Sequence, residues 1–124
     1  MSAAQHVLLV EDDTWLATLQ TETLIAADYK VTVAAHATAA IACVDQHVPD
    51  VIIVDMLLTG TTALALLHEL QSHADTRLVP VILCTNLADS LQLEELAPYG
   101  VQRIVDKTTM QPDDIVAAVR SALL

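Results

Sequence analysis

The sequence predicts an α/β fold in which helices cover both faces of a parallel sheet. Five short apolar segments rich in β-branched residues are each followed by a longer segment with apolar residues at helical spacing. The first, third and fourth apolar segments are nearly continuous, which is typical of strands buried on both faces. Repeated strand–helix units join parallel strands through right-handed crossovers. The predicted strands are Val7–Val10, Val31–Ala35, Val51–Val54, Pro80–Cys84 and Val101–Val105.

Helical segments follow these strands, and three of them begin with a recognisable signal. Asp13 stands just before the first helical pattern, where an N-cap is favoured over a role as a metal ligand. Asp89, with Gln92 three residues later, resembles a capping box, and Pro112 suits the first turn of the last helix. The mostly apolar positions at helical spacing are Leu16, Leu19, Thr23, Leu24 and Ala27; Ile41, Val44 and Val48; Leu64, Leu67 and Leu70; Leu87, Leu91 and Leu96; and Ile115, Val116, Val119 and Leu123.

Length and composition narrow the classes of protein. The 124 residues predict one domain, residues 1–124, and a 54% hydrophobic content with only three aromatic residues predicts an aliphatic core rather than disorder. The net charge of −11 argues against nucleic acid or an anionic membrane as the ligand. Gly60 and Gly100 are the only glycines, so a glycine-rich dinucleotide fingerprint and a phosphate-binding P-loop are both excluded.

The two cysteines, Cys43 and Cys84, lie in apolar runs and form no disulfide framework. We expect reduced, buried thiols. No apolar run approaches the roughly 20 residues that span a bilayer, and no signal-peptide pattern is present in the sequence. These features predict a cytoplasmic protein without a membrane partner.

Polar side chains stand at the carboxyl ends of four predicted strands, which is where open parallel sheets bind ligands. Carboxylates that converge there repel one another unless a hard divalent cation such as Mg²⁺ lies among them. Such an ion also lets one carboxylate attack a phosphoryl group, while a lysine and a hydroxyl hold other phosphoryl oxygens. The pattern therefore predicts phosphate acceptance on Asp55. The residues concerned are Glu11, Asp12 and Asp13 after the first strand, Asp55 after the third, Thr85 at the end of the fourth and Lys107 after the fifth.

The combined pattern resembles the receiver domain of bacterial two-component response regulators. The resemblance rests on the sequence Val-Glu-Asp-Asp at 10–13, Asp55 with Gly60 five residues later, the apolar run ending in Thr85, and Lys107. It extends from about residue 6 to the end of the chain. The resemblance implies a flavodoxin-like, doubly wound (βα)5 fold with a five-stranded parallel sheet of order 2-1-3-4-5.

The resemblance also implies a role for each site residue. Asp55 would accept a phosphoryl group from a histidine kinase or a histidine phosphotransfer protein. Thr85 would be the switch hydroxyl, and Lys107 would pair with the phosphoryl group.

A Mg²⁺ site is implied by the same resemblance. Asp12 would bind the ion directly, Asp55 would be a second ligand, and Glu11 would act through water. The backbone carbonyl of Leu57 would complete the protein ligands.

A receiver of this kind is not an enzyme with a separate substrate, although it assists its own phosphorylation and dephosphorylation. We expect it to signal to an output protein or domain through the surface of the fourth helix and fifth strand, without binding nucleic acid itself. The aliphatic residues of the fourth predicted helix suggest a homodimer contact within Asp89–Ala97. A stand-alone receiver is favoured slightly over a domain of a longer regulator.

Several positions depart from the family pattern. Thr108 follows Lys107 where the family usually has a proline with a cis bond, and a cis bond before threonine would cost roughly 2.5–4 kcal/mol. We therefore expect a trans bond and an altered loop. Ile104 replaces the common aromatic switch residue, and Asn86 is larger than the usual small residue after Thr85. Beside Gly60, Thr59 and Thr62 replace a proline and an aspartate.

Two alternative functions remain open. The first is a receiver-like interaction module that works without regulated phosphorylation, which the departures at Ile104 and Thr108 favour. The second is a metal-dependent phosphatase with an aspartyl nucleophile, but Leu57 stands where such enzymes have a second aspartate. Trp15 either packs or partly covers the acidic edge. The histidines lack metal-ligand spacing and are interpreted as surface or packing residues; they are His6, His36, His47, His68 and His73.

Overall fold

The computed structural model describes residues 4–58 and 61–124, and its centre is a five-stranded parallel sheet. The sheet strands are β1 (His6–Val10), β2 (Lys30–Ala34), β3 (Val51–Val54), β4 (Val81–Thr85) and β5 (Val101–Asp106). Their spatial order is β2-β1-β3-β4-β5, so the predicted order 2-1-3-4-5 is confirmed. Two further strands of two residues each, Leu57–Leu58 and Thr61–Thr62, pair antiparallel after β3.

Helices connect these strands, and the first and the last of them begin with defined N-terminal capping interactions. The Asp13 carboxylate accepts a hydrogen bond from the Leu16 backbone N–H at 3.0 Å, so the predicted N-cap is confirmed. At the last helix, the Asp114 carboxylate accepts from the backbone N–H of Gln111 at 2.7 Å, and Pro112 occupies the first turn as predicted. The helices are α1 (Thr14–Ala26), α2 (Ala37–Gln46), α3 (Ala63–Gln71), α4 (Leu93–Leu96) and α5 (Pro112–Ala122).

Alternation along the strands divides the core into two layers. Successive side chains of a strand point to opposite faces, so an apolar run buries residues on both sides of the sheet. One layer packs against α2, α3 and α4 and contains Leu8, Val10, Ile52, Val54 and Leu83. The other packs against α1 and α5 and contains Val7, Leu9, Val51, Ile53 and Ile82.

The segment between β4 and β5 differs from the single helix that the sequence predicts. It consists of a 3₁₀ turn at Ala88–Ser90, the four-residue α4 and a second 3₁₀ turn at Ala97–Tyr99. Leu91 and Gln92 are extended, and neither short helix has a side-chain cap, so the predicted capping box at Asp89 and Gln92 is wrong.

A physical reason lies in the spacing of the leucines. Leu91 and Leu96 both contact the core, but a step of five residues would place them about 140° apart on one helix. The break in the helix between them lets Leu96 be buried while Leu91 is partly buried against the same core layer. Leu93, which the sequence groups with them in a possible dimer contact, is 39% exposed.

Both cysteines are free thiols in the structure, and Cys84 is buried as predicted, whereas the prediction of a buried Cys43 is wrong because this residue is only half-buried. The Cys84 sulfur lies 3.5 Å from Gln20 Nε2 and 3.5 Å from Met110 Sδ. Burial raises the pKa of Cys84 to about 11, so this thiol stays protonated and unreactive at neutral pH. No helix in the described ranges has the length and apolar character needed to cross a membrane.

We expect the aliphatic core to dominate stability. Ile53 lies in the central strand β3 and is 1% exposed, so Ile53→Ala should lower the free energy of unfolding by about 2–5 kcal/mol. Leu78→Ala is the matched control, because Leu78 is 83% exposed and should cost less than about 0.5 kcal/mol. Urea unfolding followed by circular dichroism measures both. Equal losses in the two variants would contradict the layer assignment.

Candidate functional site

The polar residues predicted to act together follow three strands whose carboxyl ends meet at one edge of the sheet. Val10 of β1 is in register with Val54 of β3, which brings the next residues, Glu11 and Asp55, side by side. On the other side, the Lys107 backbone N–H donates to the Thr85 carbonyl at 3.1 Å, which continues the pairing of β5 with β4. The parallel register thus places residues from distant parts of the chain at one edge.

The Lys107 ammonium joins two of the predicted carboxylates. Its Nζ lies 2.5 Å from Glu11 Oε1 and 2.6 Å from Asp55 Oδ2. The three side chains are nearly buried, with exposed fractions of 10% for Lys107, 3% for Glu11 and 13% for Asp55. Removing charges from water is costly unless they are paired, so the three groups depend on one another.

Burial and ion pairing change the pKa of both Glu11 and Lys107. Burial raises the pKa of Glu11 above its ordinary value, and the hydrogen bond and charge of Lys107 offset only part of that rise. Burial also lowers the pKa of Lys107, but hydrogen bonds to Asp55 and Glu11 outweigh it and the net pKa is raised. Lys107 is therefore a cation at neutral pH.

Thr85 is 1% exposed, and its side chain faces the start of the segment that follows β4. Its Oγ1 accepts a hydrogen bond from the Leu87 backbone N–H at 3.2 Å. A hydroxyl has one donor and two acceptor positions, so the Thr85 proton can still be donated to another group. The predicted switch residue is thus attached to the segment that leads to α4.

The predicted Mg²⁺ ligands consist entirely of oxygen donors, which suits a hard divalent cation. Glu11 and Asp12 also line a cleft of about 350 Å³ between α1 and β2, and Asp12 is exposed. Within residues 4–58 and 61–124, however, no group of three or more His, Cys, Asp or Glu side chains is arranged to hold a metal ion. Leu57 lies in the short antiparallel pair, and Thr59 and Gly60 are outside the described residues. The donor types fit Mg²⁺, whereas the arrangement of Glu11 and Asp55 is that of an ion-pair network around Lys107.

The loop after Lys107 is held by its neighbours. The Asp106 carboxylate oxygen Oδ1 accepts from the Thr108 backbone N–H at 2.9 Å and from the Thr108 hydroxyl at 2.6 Å. These hydrogen bonds lower the pKa of Asp106. The described residues contain no cis peptide bond, so the predicted trans bond before Thr108 is confirmed. The departure at Thr108 was visible in the sequence, but its partner Asp106 was not predicted, although an aspartate two residues before a threonine is a recognisable turn pattern.

The other departures lie in different environments. Ile104 is half-buried and packs against the layer that contains α4. Asn86 is exposed, so its side chain extends from the sheet edge into solvent. Trp15 is 73% exposed, which does not support the packing role, and its partial coverage of the acidic edge stays a prediction.

The fold and the site together define a receiver domain, and comparison with known proteins agrees. The family model described as "Response regulator receiver domain" matches residues 7–120. The chain therefore belongs to the response regulator receiver domain family, which confirms the resemblance seen in the sequence.

Two curated relatives are full-length regulators. The chain is 29% identical to the transcriptional regulatory protein BaeR of Escherichia coli over 95% of its length, covering 48% of BaeR. It is 26% identical to the DNA-binding response regulator MtrA of Mycobacterium tuberculosis over 96% of its length, covering 50% of MtrA. The chain thus spans about half the length of these relatives.

Solved structures support the fold. A putative response regulator from Chloroflexus aurantiacus superposes with a TM-score of 0.84 at 26% identity, covering 97% of this chain and 98% of the other. The signal receiver domain of a histidine kinase from Syntrophus aciditrophicus gives 0.84 at 26% identity, covering 97% and 90%. The chemotaxis protein CheY4 of Vibrio cholerae gives 0.89 at 22% identity, covering 98% and 100%, which supports the fold alone.

Removing the shared cation should change the titration of Glu11. In Lys107→Gln, burial would act on Glu11 without the opposing ammonium, so its pKa should rise further. Because the folded state would then bind the proton more tightly than the unfolded state, the free energy of unfolding should fall as the pH rises through the raised pKa. Carboxyl carbon NMR titration and urea unfolding at several pH values measure this. Lys30→Gln, at the exposed Lys30, is the matched control, and equal Glu11 titrations in the two variants would contradict the pairing.

The Asp106–Thr108 turn should control backbone opening beside Lys107. Thr108→Ser keeps both hydrogen bonds, Thr108→Val keeps only the backbone one, and Asp106→Ala keeps neither. We expect amide hydrogen exchange at residue 108 to be unchanged in the first variant, faster in the second and fastest in the third. Identical exchange in all four proteins would mean that the carboxylate does not hold the loop.

Proposed function

We propose that this receiver domain accepts a phosphoryl group on Asp55 in a Mg²⁺-dependent reaction, with a phosphohistidine of a histidine kinase or phosphotransfer protein as donor. The observation that carries this proposal is the 2.6 Å contact between Lys107 Nζ and Asp55 Oδ2 at the carboxyl edge of the sheet. A cation in that position can hold a phosphoryl oxygen carried on Asp55.

The proposed transfer conserves atoms and charge in a simple way. A carboxylate oxygen of Asp55 attacks phosphorus, an O–P bond forms and the P–N bond of the phosphohistidine breaks. The electron pair stays on the imidazole nitrogen, which takes up a proton. The product is an acyl phosphate on Asp55, and water later hydrolyses it. The domain thus assists its own modification and has no separate substrate.

Four groups would hold Mg²⁺ in this proposal: the side chains of Glu11, Asp12 and Asp55, and the backbone carbonyl of Leu57. Bound Mg²⁺ would neutralise the non-bridging oxygens of the phosphoryl group. Lys107 pairs with both Glu11 and Asp55, so it holds these two carboxylates close together before any phosphoryl group arrives.

Thr85 is the proposed connection to the output surface. Its hydroxyl accepts from the Leu87 N–H and retains a proton that can be donated to a phosphoryl oxygen on Asp55. Such a bond would fix the hydroxyl and, through Leu87, the first residues of the segment before α4. An output protein or domain would bind the surface of that segment and β5. The net charge of −11 supports a protein partner rather than direct binding of nucleic acid, and a cytoplasmic location is part of the proposal.

A second candidate is an interaction module that works without regulated phosphorylation. The feature that favours it is Ile104, which packs against the core at the position where receiver domains commonly have an aromatic switch residue. In this alternative, the Lys107 network would serve only to stabilise the fold.

Phosphorylation with a small donor separates the two candidates. The full chain incubated with acetyl phosphate and Mg²⁺ should gain the mass of one phosphoryl group by intact mass spectrometry, and the adduct should be labile. Asp55→Asn and removal of Mg²⁺ with EDTA should each abolish the adduct. Asp45→Asn, at an exposed aspartate of α2, is the matched control and should be modified normally. A chain that folds but gains no adduct with any donor would favour the interaction module.

A further inference from the structure

Two histidines separated by 41 positions in the sequence meet at the edge of the sheet opposite the acidic site. His6 is the first residue of β1, and His47 follows the last residue of α2. Their ring centroids are 5.0 Å apart, and the ring planes are inclined at 49°. Both residues were predicted to be surface or packing histidines, because their separation in the sequence resembles no metal-ligand motif.

The ring of His6 is held by one nitrogen. Nε2 lies 2.7 Å from Thr32 Oγ1 on the neighbouring strand β2. Nδ1 is buried and has no hydrogen-bond partner among the described residues. In the tautomer that donates from Nε2 to Thr32, Nδ1 carries a lone pair. A ring fixed by an outer hydrogen bond with a lone pair on the other nitrogen is the usual state of a metal-binding histidine.

We infer that His6 and His47 form a two-histidine site for a borderline-soft divalent cation such as Zn²⁺, Ni²⁺ or Cu²⁺, with Nδ1 of His6 as one ligand and the exposed imidazole of His47 as the other. Imidazole nitrogens bind Zn²⁺ at about 2.0–2.1 Å, which places the centroids of two rings on one tetrahedral ion about 5 Å apart. The observed centroid separation matches this value. Water supplies the other ligands, because the described residues contain no group of three or more side chains able to hold a metal.

The charges around the pair are compatible with a cation. Burial lowers the pKa of His6, and the neighbouring His47 lowers it further, so the neutral ring that binds metals predominates at neutral pH. Asp50 acts in the opposite direction on this pKa, and its carboxylate accepts from the His6 backbone N–H at 2.7 Å. That carboxylate offsets part of a bound positive charge. The exposed Lys30 acts against Asp50 by lowering the pKa of His6, and it is the smallest of these contributions.

The remaining histidines are engaged differently or lie apart. His36 Nδ1 accepts from the Ala39 backbone N–H at 3.1 Å as the N-cap of α2. His73 Nε2 lies 3.2 Å from Glu69 Oε1 one turn away on the chain. His68 is exposed on α3 and provides a matched control for loss of a histidine.

A cation shared by His6 and His47 would join the end of α2 to the start of β1. Because it would bind the folded chain and not the separated rings of the unfolded chain, it would stabilise the native state by mass action. The site uses none of the residues assigned to phosphoryl transfer, so it does not depend on the proposed function.

Zinc titration of the full chain tests this site. Millimolar Mg²⁺ is included to compete for the acidic edge, and binding is followed by calorimetry together with the imidazole proton signals in NMR spectra. We expect one equivalent to bind, with the signals of His6 and His47 changing together and an increase in melting temperature. His47→Ala should abolish this binding, and His68→Ala should leave it unchanged. Thr32→Val should weaken it about tenfold, because the outer hydrogen bond to His6 is lost.

Three results would overturn the inference. They are the absence of saturable binding to the folded chain, equal affinity in His47→Ala and the unmodified protein, and signal changes at His73 or at the acidic edge in place of His6 and His47. His47 is exposed, so its replacement leaves the core intact and circular dichroism can verify folding of the variant.

Discussion

The carboxyl edge of this domain depends on the ion pairs that the Lys107 ammonium makes with Glu11 and Asp55. Glu11 and Asp55 follow adjacent parallel strands, and the register of β1 and β3 gives them no freedom to separate. Two nearly buried carboxylates in this position would repel each other, and a single cation from the loop after β5 pairs with both. The same arrangement that solves this electrostatic problem also places an ammonium where a phosphoryl group on Asp55 would need one. The side chains that stabilise this edge are therefore the same ones that would take part in the proposed phosphoryl transfer.

Much of the fold could be predicted from the sequence, as could the convergence of Glu11, Asp55 and Lys107 at one edge. The strands arise from local signals, and the strand order was implied by the resemblance to receiver domains. Continuous apolar runs identified the strands, and the polar residues that end these runs had to meet once the strands were parallel. The break in the fourth helix could not be predicted in this way. Leu87, Leu91 and Leu96 are spaced four and five residues apart, which fits a helical pattern. The break becomes evident only when the positions of Leu91 and Leu96 against one core layer are known. Lys107 was predicted to pair with a phosphoryl group, but its contact with Glu11 depends on the tertiary packing of side chains, which the predicted strand order alone does not specify. The meeting of His6 and His47 depends on it as well, since no local spacing connects them.

The departures from the family pattern affect different parts of the domain. Beside Lys107, the carboxylate of Asp106 holds the Thr108 N–H and hydroxyl, so two hydrogen bonds restrain a trans loop where a proline ring would otherwise restrict the backbone. At β5, Ile104 fills space in the core layer instead of presenting a ring at the surface. At the end of β4, the Leu87 backbone N–H donates to Thr85 Oγ1 and so connects the site to the segment that leads to α4.

The interrupted segment around α4 has a mechanical consequence. α5 has eleven residues and a defined start, so a change in its shape would have to break a cooperative series of backbone hydrogen bonds. α4 is a single turn between two 3₁₀ turns, and Leu96, its one buried residue, holds it against the core. A single turn has little cooperativity to lose. A rearrangement of this segment therefore requires the loss of fewer backbone hydrogen bonds than a rearrangement of α5 would.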